Sequence, residues 1–263
     1  MQVQQSEQSQ LYFLHIHKTA GTTMYAILER YFALDEVCTA YQWHQFLSIP
    51  FEQLSKYRLI RGHFHYCVHQ LLPAKPIYMT MLREPVARVL SRYQHFKRDT
   101  THYLYERAHN MSLAEFLRDP ITRAQIRNLQ TRHIAFDFDL KALAADFDPT
   151  SQHVMALEEK INRMFSELSD DVDDSLIEVA KQRLVEFAFV GIVESFDEST
   201  NLMANIFGWT KADGYENRNV APKSLRRDDI SQELLNEIER LNQADIALYK
   251  YARQLFQERL EKI

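Results

Sequence analysis

The chain has 263 residues, 46% of them hydrophobic and 25% charged, with a net charge of −5. That length and apolar content suit one α/β domain with a sizeable core, and the acidic balance argues against nucleic-acid binding, which normally shows as a basic domain. The two cysteines, Cys38 and Cys67, form no metal or redox spacing and indicate a reducing compartment. Residues 1–10 are polar and lack the basic and apolar regions of a signal peptide, so they read as a disordered tail. No apolar run approaches the roughly 20 residues of a membrane span. The expectation is therefore a cytoplasmic chain with no integral membrane segment and one domain over residues 11–263.

Residues 11–16 are an apolar run and read as a buried first strand. A helix is expected over 22–34, a second strand over 37–43 and a helix over 51–57. Residues 58–63 read as a short strand ending at Gly62, and 75–82 as a longer one. A helix follows from Arg83 to about Arg107, with Pro85 suited to its first turn. Ser112 and Glu115 have capping-box spacing. Pro120 breaks the pattern, and a helix is expected over 121–131. Residues 137–150 read as irregular, 151–168 as an amphipathic helix, the acidic run 170–174 as a solvated loop or cap, and 175–186 as a helix. A last buried strand is expected over 187–193, then a helix over 196–207 ending at Gly208, a natural C′ residue. A polar loop over 213–224 leads into C-terminal helices. Strands separated by helical stretches imply a mostly parallel sheet with helices on both faces. Ligands on such sheets sit at the C-terminal strand ends.

Two segments at those ends suit an anion. The first is His17-Lys-Thr-Ala-Gly-Thr-Thr23, between the first strand and the first helix. A helix N-terminus offers unpaired N–H groups and a positive dipole end. Lys18 adds a charge, and the threonines add donors. It is not a Walker A loop, because Lys18 precedes the only glycine of the segment; taken alone, it reads equally as an ordinary strand–helix turn with a threonine cap. The second segment is Arg83-Glu-Pro-Val-Ala-Arg-Val-Leu-Ser91-Arg-Tyr93. Arg83 sits at a strand end, and Ser91 lies about two helical turns on. Residues 83–98 hold five Lys or Arg against one acid. Arg binds phosphate through a planar fork and Ser adds a hydroxyl. Arg88, Arg92, Lys97 and Arg98 are expected mainly on an exposed helix face.

Together, the K-T-x-G-[TS]-[TS] loop and the later R-[DE]-P-x-x-R-x-x-S-x-Y segment resemble the sulfotransferases that use 3′-phosphoadenosine-5′-phosphosulfate. The likeness is to the carbohydrate 2-O- and 6-O-sulfotransferase type and its soluble bacterial relatives. It extends through Asn128-Leu-Gln-Thr-Arg132 and residues 189–196. The resemblance implies a P-loop-like three-layer αβα fold with a central mostly parallel sheet and extra helices. It implies that Lys18, Thr19, Ala20, Gly21, Thr22 and Thr23 grip the 5′-phosphosulfate, and that Arg83 and Ser91 grip the 3′-phosphate. Lys223, in a polar loop, would touch a phosphate as well. His17 departs from the resemblance, since many members carry proline there.

Arg61-Gly-His63-Phe-His65 covers the end of the short strand 58–63. The resemblance implies that His63 is the base for the acceptor hydroxyl, a task that suits an imidazole, with Lys18 as its catalytic partner at the leaving group. His65, Gln130 and Arg132 are candidate acceptor-binding residues, with capping or packing an equal reading for Gln130 and Arg132. Glu194, Trp43 and Trp209 read as structural. The implied activity moves a sulfuryl group to a hydroxyl of a carbohydrate acceptor without a metal. Two alternatives stay open: a P-loop-type nucleotide phosphotransferase, and a non-catalytic module for a nucleotide or sulfated ligand. Neither the acceptor nor the oligomeric state can be read from the chain.

Overall fold

The computed structural model describes residues 9–145, 147–148, 160–161, 164, 174–210 and 225–263. Its centre is a four-stranded sheet of β1 (Leu11–Leu14), β2 (Leu59–Gly62), β3 (Ile77–Leu82) and β4 (Phe189–Ile192). The order is β2-β1-β3-β4 and every pairing is parallel. All four residues of β1 are buried, which is why that segment reads as an unbroken apolar run rather than an alternation. Parallel pairing brings Leu14, Gly62, Leu82 and Ile192 to one edge, and the connections that leave this edge form the site.

Among the described residues the longer helices are α1 (Gly21–Leu28), α2 (Pro85–Arg98), α3 (Leu129–Ala135), α4 (Asp174–Glu186), α5 (Phe196–Phe207), α6 (Gln232–Leu241) and α7 (Gln243–Leu260). The arrangement is the three-layer αβα fold expected. One core surrounds the sheet, with Tyr12, Phe13, Met79 and Phe189 at its centre. A second core lies under α2, where Val89, Leu90 and Phe96 pack with Phe116, Ile126 and Ile238.

Several boundaries differ from the expectations, each for a local reason. Residues 37–43 are not a strand. Val37 makes one bridge to Leu59, and the Gln45 side chain then takes the Gln42 N–H at 3.0 Å to open a short helix, Trp43–Leu47. The first helix stops at Leu28 and tightens into 3₁₀ turns. α2 ends at Arg98 rather than near Arg107, because the Asp99 carboxylate takes the N–H and hydroxyl of Thr101 and turns the chain. The break expected at Pro120 is present, one helix stopping at Arg118 and another opening at Pro120, where Asp119 caps the N–H groups of Ile121 and Thr122; the helix expected over 121–131 is split, since this one stops at Ala124 and α3 starts only at Leu129. Residues 137–150 include a helix, Leu140–Ala145. The Ser112–Glu115 capping box is present, and Gly208 adopts φ 66° at the end of α5. The expected helix over 151–168 (apart from residues 160, 161 and 164), residues 170–173 and the loop 213–224 lie outside the described residues.

Candidate active site

The β1–α1 loop is tightly wound. Lys18 and Ala20 both take left-handed backbone angles, φ 70° and φ 62°, a conformation that costs a non-glycine residue energy and clusters at functional turns. The loop is held from below, where the Thr19 hydroxyl donates to the Ile16 carbonyl at 2.8 Å and Thr80 donates to the Leu14 carbonyl at 2.8 Å. Thr19 is fully buried, so its side chain fastens the loop and does not face a ligand. Gly21 has a second reason to be glycine. A Cβ there would lie 1.8 Å from His15 Nε2, so the imidazole of His15 occupies the space that a side chain would need. His15 Nδ1 and the Tyr25 hydroxyl are 2.7 Å apart.

Arg83 leaves the end of β3, and its Nη1 donates to the Lys18 carbonyl at 3.2 Å, tying the two anion segments together. The turn after it is clamped from three sides. Gln130 on α3 accepts from the Arg83 N–H and donates to the Arg83 carbonyl, both at 2.9 Å. Glu194 accepts from the Glu84 N–H at 3.0 Å and from the Tyr249 hydroxyl at 2.7 Å. The Glu84 carboxylate caps α2 by accepting from Val86 and Ala87. Ser91 and Arg92 then face the same space as the loop.

That space is a cavity of about 480 Å³. Lys18, Ala20, Gly21, Thr22, Thr23, Arg83 and Ser91 all line it. Among the described residues its wall carries Lys18, Arg83, Arg92, Arg98, Arg226 and Arg227 against a single acid, Glu84. Burial, reinforced by Arg92, Arg83 and Arg98, pushes the Lys18 ammonium down to about 8. Burial likewise lowers Arg83 and brings Arg92 to about 10. Arg83 Nε and Arg92 Nε are buried without a partner among the described residues. Crowded cations with unused donors fit a ligand carrying several negative charges.

His63 stands where this cavity meets a second one of about 530 Å³; both are lined by His17, Tyr41, His63, Arg92 and His95. Its Nδ1–H donates to the His15 carbonyl at 2.9 Å, which leaves Nε2 as the acceptor of the Tyr41 hydroxyl at 2.7 Å. His17 lies against the His63 ring, centroids 3.5 Å apart. Burial pushes His63 down to about 3, offset in part by the bond to His15 and assisted by the charges of Arg92 and Lys18. His63 is therefore neutral near pH 7, with a proton-free Nε2 at the junction. His65 lines the second cavity, its ring 4.6 Å from that of His133. Among the described residues no group of three or more His, Cys, Asp or Glu side chains is arranged to hold a metal.

A family model described as "Sulfotransferase family" matches residues 2–252. This chain belongs to the sulfotransferase family. It is 27% identical to galactose-3-O-sulfotransferase 3 of Mus musculus over 95% of its own length and 57% of the relative's. It is 26% identical to heparan-sulfate 6-O-sulfotransferase 1 of Cricetulus griseus, covering 95% of this chain and 67% of that one. Galactosylceramide sulfotransferase of Homo sapiens is 25% identical over 95% and 57%. The chain thus spans a little over half the length of several of these relatives.

Two of the residues expected to bind acceptor, Gln130 and Arg132, are taken up in packing. Gln130 is spent on the Arg83 peptide and lines neither cavity. Arg132 is fully buried, with Nη1 bonded to the carbonyls of Ala124 and Arg127 at 3.3 Å each, and burial pushes it down to about 9. The segment around them is a brace. Asn128, at φ 44°, donates its N–H to Asn242, while its side chain accepts from Ala244 and Asp245. Asp245 accepts from the N–H groups of Gln130 and Thr131 and pairs with the buried Arg88 at 3.7 Å. Arg88 and Arg92, expected on an exposed face, are buried at 0% and 3% exposure. Lys223 lies outside the described residues. Arg92, Tyr41 and His133 also line these cavities and were not expected to. Arg92 adjoins Ser91 in the basic segment, and that adjacency was the signal available; nothing comparable marked Tyr41 or His133.

Proposed function

We propose that this sulfotransferase moves a sulfuryl group from 3′-phosphoadenosine-5′-phosphosulfate to a hydroxyl of a carbohydrate. The observation that carries the reading is that the 17–23 loop and the Arg83–Ser91 segment line one cation-rich cavity with His63 at its far mouth. Lys18, Ala20, Gly21, Thr22 and Thr23 hold the reacting end of the donor, and Arg83, Ser91 and Arg92 hold the 3′-phosphate. The acceptor oxygen forms a bond to sulfur while the bond from sulfur to the bridging oxygen of the 5′-phosphate breaks. His63 Nε2 takes the hydroxyl proton, the acceptor replacing the Tyr41 hydroxyl that now occupies Nε2. Lys18 meets the charge that grows on the leaving phosphate, so that catalysis is positioning and electrostatics. An anion in the first cavity offsets Lys18 and Arg92, which raises the basicity of His63 when donor is bound. Relatives named for galactose 3-O- and heparan-sulfate 6-O-transfer support a carbohydrate acceptor.

Calorimetric titration with adenosine 3′,5′-bisphosphate, adenosine 5′-monophosphate and ATP with Mg²⁺ tests the donor assignment. The bisphosphate should bind on the order of 10–100-fold tighter than the monophosphate, the worth of one charged set of hydrogen bonds. Preference for ATP with Mg²⁺ would replace this reading with the phosphotransferase one. Turnover by His63→Ala should fall by roughly 10²–10⁴; full activity on a competent acceptor removes the base assignment.

A further inference from the structure

The second cavity differs from the first in charge. Among the described residues lining it, Arg92 is the single Lys or Arg and Asp99 the single acid. Arg92 belongs equally to the first cavity, stacks over Phe96 at 4.3 Å and gives one nitrogen to Gln125 at 3.3 Å. Six histidines line the wall, and burial lowers all of them, which leaves the imidazoles uncharged near neutral pH. Neutral imidazoles and amides both donate and accept, as hydroxyl groups do.

Two further features indicate what fills the space. Trp43 is 2% exposed and lines the cavity, yet its indole N–H has no hydrogen-bond partner among the described residues. A buried unsatisfied donor is costly unless a ligand oxygen meets it. At the rim, Tyr103 is 63% exposed and stacks on His102, ring centroids 4.7 Å apart and 25° from parallel. An exposed aromatic ring of this kind offers an apolar face with a polar edge. The C–H face of a sugar ring fits the former and its hydroxyls the latter.

Resting on the sulfuryl-transfer reading above, we propose that the acceptor unit seated in this cavity is an uncharged sugar and not a uronate- or sulfate-bearing one. A carboxylate or sulfate needs Arg or Lys forks for its oxygens, and the one arginine among the described lining residues is assigned to the donor. The Asp99 carboxylate at the same wall repels an anion, and like charges brought together across a contact cost affinity. Trp43, the imidazoles and the Tyr103 face satisfy a neutral polyol instead.

The test measures release of adenosine 3′,5′-bisphosphate from the full chain with donor and two acceptor classes. Lactose, cellobiose and chitobiose form the neutral class, and a heparosan tetrasaccharide the uronate class. The expected result is a kcat/KM at least roughly tenfold higher for one of the neutral sugars. Tyr103→Ala should raise the KM for that sugar roughly twofold to tenfold, the usual worth of one aromatic contact, while kcat and donor KM hold. A preference for the tetrasaccharide overturns the proposal, and so does an unchanged sugar KM in Tyr103→Ala. Transfer to neither class with tight bisphosphate binding also overturns it, and leaves the donor assignment standing. Absence of bisphosphate binding removes the donor assignment first and this proposal with it.

Discussion

The two cavities share a wall of His17, Tyr41, His63, Arg92 and His95 but are built in opposite ways. The first is assembled largely from chain just past the strand ends, and its chemistry is surplus positive charge. The second draws on residues 41–43, 63–65, 99–103 and 124–133, and its chemistry is neutral rings and amides. On the proposed function the difference separates two tasks. Holding a multiply charged donor needs fixed cations and a rigid backbone, which a parallel sheet edge supplies. Selecting an acceptor needs shape and neutral hydrogen bonding, which comes from side chains on helices and irregular segments. His63 belongs to both, because its Nδ1 is anchored to the loop side at His15 and its Nε2 faces the acceptor side.

The strongest way to break this division is Lys18→Ala. Loss of one preorganised charge at the leaving group should cut kcat by about 10²–10³, with the acceptor KM unchanged in steady-state assays. A parallel rise in acceptor KM would show that the cavities are not functionally separate. Arg83→Ala should raise the dissociation constant of adenosine 3′,5′-bisphosphate about 10–100-fold by calorimetry, again without moving acceptor KM. A smaller effect comes from pH. The Lys18 ammonium is lowered to about 8 in the free protein, and a bound anion favours its charged form. Above that pH the free protein has released a proton that the complex retains, so bisphosphate affinity should fall by up to about tenfold per pH unit. The ligand phosphates are already ionised there, so a flat profile from pH 8 to 9.5 would remove Lys18 from the donor contact. The smallest change is expected from Gly21→Ala. The added methyl meets His15, whose carbonyl positions His63, and such overpacking costs on the order of 1–3 kcal/mol. The melting temperature should drop by several degrees, and an unchanged value would mean that His15 moves freely aside.

How much was legible follows the same boundary. Lys18, Thr22, Arg83 and Ser91 were picked out by two short segments at strand ends together with the resemblance, and the structure brings all four to one cavity. Gln130 and Arg132 read equally as acceptor-binding or packing residues, and only the structure decides for packing. Their neighbours in sequence give no sign that Gln130 pairs with the Arg83 peptide 47 residues away or that Arg132 is walled in by backbone carbonyls. Arg88 and Arg92 were misjudged for a related reason. Charge suggests a solvated face, but α2 is covered on the side of its arginines by the 124–127 segment, where Ile126 and Gln125 accept from them.

The sheet and the donor loop were written in the order of residues. Apolar runs of strand length, a lysine before a glycine and an arginine at a strand end are local patterns, and local patterns survive without knowledge of the fold. Folding in three dimensions was needed to settle which histidines meet, that Tyr41 holds His63, that the Trp43 indole N–H has no partner among the described residues, and that Arg92 is the single Lys or Arg and Asp99 the single acid among the described residues lining the second cavity. Those properties arise between segments far apart in the chain, where burial sets both the pKa values and the neighbours.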